Sequence, residues 1–99
     1  MVTIRVKDIV DNCSDNQSGL QILSLVEDYL KNDQPIEMSF EGIPYVTTSF
    51  VNSAFINLLD NYTFDTIKSR LTFKQTTVQI NQLIKERFAF ETNRASVAS

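Results

Sequence analysis

Residues 36–61 read IEMSFEGIPYVTTSFVNSAFINLLDN, and the spacing of apolar side chains changes inside that stretch. Ile36, Met38 and Phe40 alternate with Glu37, Ser39 and Glu41, the period of two required of a strand with one buried face. Gly42 and Pro44 interrupt the alternation. Beyond them Val51, Phe55, Leu58 and Tyr62 recur at helical spacing, which predicts a helix over residues 50–60. Thr47, Thr48 and Ser49 stand immediately before it, offering hydroxyl oxygens to the amides that a helix start leaves unpaired. The stretch is therefore a strand that feeds a helix through a hydroxyl-rich turn.

Working outward, Val2, Ile4 and Val6 alternate with Thr3, Arg5 and Lys7, which predicts a first strand with Val10 as its furthest extent. Residues 11–18 are rich in Asp, Asn and Ser, side chains that favour turns and helix starts, and Ser18 is the expected cap. From Gly19 a helical stripe runs through Ile22, Leu23, Val26, Tyr29 and Leu30. Residues 32–35 form a short polar connection in which Pro35 precedes the strand without breaking a ladder. After the central helix, residues 61–65 read as a turn and residues 70–74 as a strand, starting as early as Ile67, with Leu71 and Phe73 inward. Ile80, Leu83, Ile84 and Phe88 mark a last helix begun near Thr76 or Thr77, and residues 91–99 read as a frayed tail. The expectation is one α/β domain over residues 1–90, a mixed sheet of about three or four strands with three main helices laid against it. Thr3, Arg5, Ser39 and Thr72 are expected on its poorly covered side.

Ninety-nine residues with 42% hydrophobic content and seven Phe suit one modest core. There is no histidine and one cysteine, Cys13, which excludes a disulfide within the chain and a zinc site built from several Cys or His ligands. No basic region followed by an apolar run opens the sequence, and no apolar run approaches membrane-spanning length, so a soluble, cytoplasmic protein is expected. Residues 1–60 hold three basic and nine acidic side chains and residues 61–99 six basic and three acidic, a balance that does not favour nucleic acid. An enzyme is not expected: the usual histidine base for a Ser or Thr nucleophile is absent, as are a phosphate loop and a dinucleotide-binding glycine turn. Glu37 and Glu41 share the polar face of a strand, a spacing that a solvated face produces more often than paired catalytic carboxylates. Cys13 has no basic sequence neighbour to lower its pKa. No cofactor motif is present.

Ser39-Phe40-Glu41-Gly42-Ile43 and Thr47-Thr48-Ser49-Phe50-Val51 carry a resemblance to the STAS-like domains of the DUF4325 type, relatives of the anti-sigma factor antagonists. In ordinary antagonists a strand ending in Asp-Leu-Ser-Gly-Val leads through Asp-Ser-Ser-Gly-Leu into a helix, and the first serine of the pair is phosphorylated by a partner kinase. Here Thr47 stands in place of the aspartate, and Phe50 replaces the glycine, as in the STAS-like branch. The resemblance implies the same α/β architecture and a bacterial, non-enzymatic regulatory module that signals through protein-protein contact. Its partner would be an anti-sigma-type or histidine-kinase-like ATPase, without nucleic acid or membrane. By position, Thr48, or failing it Ser49, is the phosphorylation candidate, while the bland reading of all three hydroxyls is a helix cap. Thr47, Asn52, Ser53, Ile56 and Asp60 are expected to form the partner-binding surface, lying off the Val51-Phe55-Leu58 stripe. The alternative is a small-ligand sensor or a subunit of a larger enzyme, with its pocket at the same turn, where strands of an α/β sheet end.

Overall fold

The computed structural model describes residues 2–98, with side chains as far as residue 93. β1 (Val2–Arg5), β2 (Ile36–Ser39) and β3 (Leu71–Lys74) form one sheet in the order β1-β2-β3. Both pairs are parallel, so the expected mixed sheet is wholly parallel: each strand is joined to the next through helix, and no hairpin reverses the chain. Ile4, Met38 and Phe73 share one row of the register, and Arg5, Ser39 and Lys74 share the next. Both crossovers advance the same way across the sheet, and right-handed connections then place the helices on one face. Burial agrees: Ile4, Ile36, Met38 and Leu71 are buried, whereas Thr3, Arg5, Thr72 and Lys74 are exposed. Ser39 lies on the open side as expected, yet it is buried, its small side chain accepting the Glu41 amide at 3.3 Å.

Several helices depart from the sequence reading. The first strand ends at Arg5, and α1 (Val6–Ile9) follows, closed by the Val10 amide donating to Val6 O at 3.0 Å. Val6 is wholly buried, so tertiary packing outweighs its strand preference. α2 (Asn16–Lys31) starts ahead of Ser18, because the Asp15 carboxylate accepts the Ser18 amide at 2.7 Å and takes the capping role. α3 (Thr48–Ala54) stops before Phe55, and a 3₁₀ helix (Ile56–Asp60) replaces the rest of the single helix expected over residues 50–60. α4 (Phe64–Arg70) occupies part of the expected turn and strand start; Thr63 caps it, accepting the Thr66 amide at 3.2 Å. α5 (Val78–Ala98) begins after Thr77, whose hydroxyl accepts the Ile80 amide at 3.2 Å. It continues through the expected tail as far as Ala98, built from Ala, Glu and Arg among other helix-tolerant residues, and Ser99 lies outside the described residues. Among the described residues no helix is long and apolar enough to cross a membrane.

Four phenylalanines tie the helical layer to the sheet. Phe55 packs edge-on to Phe73 at 5.2 Å, to Phe50 at 6.1 Å and to Phe40 at 6.4 Å between ring centroids. Phe40 also lies 6.0 Å from Phe73. Above this cluster α2 crosses α3 at Gly19, where an added Cβ would stand 2.7 Å from Phe50 O and 2.7 Å from Ser53 Cβ. The two helix backbones approach as closely as they do because position 19 has no side chain.

Gly19→Ala tests that contact. On an open helix surface the change would stabilise by about 1 kcal/mol through helix propensity. Here the new methyl meets backbone, which cannot rotate away, and overpacking of this kind costs about 1–3 kcal/mol. Urea denaturation is expected to show a lowered midpoint; an unchanged or raised midpoint would place the helices further apart than described.

Candidate functional site

The site is built where β2 ends. The Phe40 amide still donates to Lys74 O at 3.0 Å, and the Ile43 amide then folds back onto Phe40 O at 2.9 Å, closing a tight turn. Gly42 holds φ +81° at the third position of that turn, the left-handed value a side chain disfavours. The Lys7 side chain lies across it, 3.0 Å from where a Cβ would project. Ile43 and Val46 are buried and anchor the segment, leaving Pro44 and Tyr45 outward. Gln79 clamps Val46 from α5: its Oε1 accepts the Val46 amide at 3.0 Å and its Nε2 donates to Val46 O at 2.9 Å. The Thr47 amide donates to Cys13 O at 3.0 Å, tying the loop to the segment between α1 and α2.

The three hydroxyls that follow divide between two tasks. Thr47 is the cap, its Oγ1 accepting the Phe50 amide at 3.3 Å. Thr48 and Ser49 are exposed, and neither hydroxyl has a hydrogen-bond partner among the described residues. Tyr45, 54% exposed, belongs to the same outward surface. Sequence reasoning missed Tyr45 and the Gln79 clamp. The first had a weak signal in a lone aromatic beside Pro44; the second had none, since 33 residues separate Gln79 from Val46.

The expected partner-binding set is not one surface. Ser53 is 4% exposed and its hydroxyl donates to Asn16 Oδ1 beneath α2, so it belongs to the helix-helix contact. Asn52 is half-buried and accepts from Arg87 Nε at 2.8 Å, linking α3 to α5. Ile56 is half-buried against the core and Thr47 is half-buried at the cap, so only Asp60 of the set is exposed. For Ile56 and Asp60 the physical reason is the break at Phe55. The Phe55 amide closes the last α-helical bond to Val51 O at 2.9 Å, whereas the Leu58 and Asn61 amides reach back three residues, at 3.0 and 3.1 Å. That tighter winding rotates Ile56 and Asp60 away from where a continuous helix would put them. Both then line a groove of about 790 Å³ shared with α4 and α5, away from the hydroxyl turn.

Charged groups near the strand ends are matched to one another. Glu37 accepts from Lys74 Nζ at 3.1 Å and from the Thr3 hydroxyl at 3.2 Å. The Lys74 hydrogen bond, more than the Lys74 charge and the Thr3 contact, holds its carboxyl below the usual range. Glu41 pairs with Arg5 at 3.4 Å. The two carboxylates considered as a catalytic pair are each engaged by a cation on an open sheet face. Cys13 is 2% exposed, and burial pushes its thiol up to about 12.

Fold and site together define a small open α/β domain with its helices on one sheet face and an ordered, hydroxyl-bearing turn beyond the central strand. A family model described as a STAS-like domain of unknown function (DUF4325) matches residues 18–81, from α2 to the first turn of α5, and the chain belongs to that family. No curated protein and no solved structure matches the chain.

Two predictions follow from the local geometry. Thr47→Ala removes a cap and is expected to cost about 1 kcal/mol, while Thr48→Ala changes the denaturation midpoint little; equal effects would mean the hydroxyls share one role. The Cys13 thiol has a folded pKa above its ordinary value of 9.0, so its contribution to stability is complete below pH 9.0 and is lost as the pH rises toward 12. Over that window the protein should lose up to about 1.4 kcal/mol per pH unit more than Cys13→Ala does, measured by urea unfolding at each pH. Parallel pH slopes for the two proteins would show that the thiol is not desolvated.

Proposed function

We propose that the chain is a non-enzymatic regulatory module that docks a partner protein through Tyr45, Thr48 and Ser49. The reading is carried by one observation: Thr48 and Ser49 are exposed without hydrogen-bond partners, while Thr47 beside them does the capping. A group added to Thr48 alters the outer surface and leaves the cap, the Val46 clamp and the Thr47–Cys13 bond untouched. Phosphorylation there adds about −1.5 to −2 charge at neutral pH, enough to expel a partner by repulsion and desolvation without unfolding the domain. The partner class that fits membership of the STAS-like family is an ATP-binding anti-sigma-type or histidine-kinase-like ATPase.

The test uses the full chain with a histidine-kinase-like ATPase encoded by a neighbouring gene. Capture of that ATPase is expected to fall about tenfold or more for Tyr45→Ala and for Thr48→Glu, with melting temperatures close to that of the parent chain. Incubation with ATP should place one phosphate on Thr48, mapped by mass spectrometry and absent from Thr48→Ala. If the ATPase binds both chain and nucleotide but transfers no phosphate to Thr48 or Ser49, regulation works through binding alone. If both substitutions leave capture unchanged, the hydroxyl turn is not the docking surface.

A further inference from the structure

We propose that the free edge of β3 and the apolar groove beside it form a second docking surface, which takes up an extended partner segment whose groove-facing side chains, every second residue, are apolar and acidic. β3 ends the sheet on one side. Because the Phe40 amide donates to Lys74 O, the backbone groups of Lys74, and of Thr72 two residues earlier, turn toward β2. Those of Phe73 therefore point outward, beyond the last strand. Beside them a groove of about 450 Å³ opens between α4, β3 and α5. Its apolar wall is Phe64, Ile67, Leu71, Phe73, Ile84 and Phe88, which continue the core past the point where the sheet stops.

Charge decides what suits this groove. Among the described residues Lys68 and Lys85 are its only titratable lining residues; both are exposed, and neither has a carboxylate partner there. Lys68 Nζ sits 5.9 Å from the centroid of the Phe64 ring, directly over the apolar wall. An occupant therefore needs apolar side chains for the wall and carboxylates for the rim. The open sheet face makes the contrast, since its cations Arg5 and Lys74 are already matched by Glu41 and Glu37. A helix laid in the groove would bury the wall but leave the Phe73 edge unpaired; a strand satisfies both, adding its own ladder while alternate side chains enter the groove. No residue of this surface belongs to the hydroxyl turn, so the two surfaces can be occupied together.

The probe is a displayed library of short random peptides selected on the full chain. Enriched sequences are expected to carry apolar and acidic residues at positions i, i+2 and i+4 of one strand face, to bind about tenfold or more weakly after Lys68→Glu with Lys85→Glu, and to lose binding after Ala89→Arg, which fills the groove from an exposed helical position. Hydrogen exchange at the Phe73 amide should slow when such a peptide binds. Melting temperatures near that of the parent chain confirm that the variants fold, and the charge-reversed and groove-filling changes serve as independent checks. Absence of enrichment, binding indifferent to both changes, or binding that leaves Phe73 exchange unaltered would each overturn the proposal. Self-association abolished by the same substitutions would do so too, assigning the surface to a second copy of the chain.

Discussion

At the crossing of α2 over α3 the Phe50 carbonyl and the Ser53 side chain lie where a Cβ at position 19 would have to go. Much of the molecule depends on that closeness. It covers α3 beyond its first turn, so Ser53 turns inward to Asn16, while Thr48 and Ser49 at the start of the helix are left to solvent. It also holds α3 low enough over the sheet for Phe50 to reach Phe55, which in turn reaches Phe40, just beyond β2, and Phe73 on β3. The turn between β2 and α3 is consequently anchored at both ends before any side chain of the turn itself is considered.

Phe55 explains why the middle of the chain is not one helix. A continuous helix through residues 50–60 would keep the Val51-Phe55-Leu58 stripe but carry the later residues along a straight axis. The observed φ of −123° at Phe55 keeps its ring in the aromatic cluster and lets the following turn wind more tightly. Leu58 remains fully buried by this route, while Ile56 and Leu59 pack partly against the core. The energetic gain is burial of a large aromatic side chain with three edge-on partners, an interaction worth more than the regular hydrogen bond forfeited at the break.

This break also marks the limit of what could be read from sequence. The strands were legible because Ile36, Met38 and Phe40, and likewise Leu71 and Phe73, alternate cleanly, and α2 was legible from its stripe through Ile22, Val26 and Leu30. α4 was not, since seven residues with Phe64 and Ile67 as its apolar contacts give too short a pattern to separate from a turn followed by a strand. The start of α2 was misplaced because Asp15 and Ser18 are both good capping residues, and only geometry shows which oxygen meets which amide. Of the site, the hydroxyl turn and its neighbouring helix were visible, but surface membership was inferred from a helical wheel that Phe55 interrupts. Ser53 failed for a different reason: a small polar residue at a helix crossing looks like a surface residue until its partner, Asn16, is brought over it.

The surroundings of the turn bear on how a module of this size can be regulated. A modification that loosens the fold as well as the surface would conflate release of a partner with loss of the domain. Here the residues on either side of Thr48 are committed inward: Val46 to Gln79, Thr47 to Cys13 and to the Phe50 amide, Phe50 to the aromatic cluster. Those contacts reach three separate parts of the chain, α5, the segment before α2 and, through Phe55, the sheet, so no single local fluctuation frees the turn. Tyr45, Thr48 and Ser49 are then side chains on a fixed base. A charge placed among them would change the outer surface while the bonds that hold the backbone beneath stay in place.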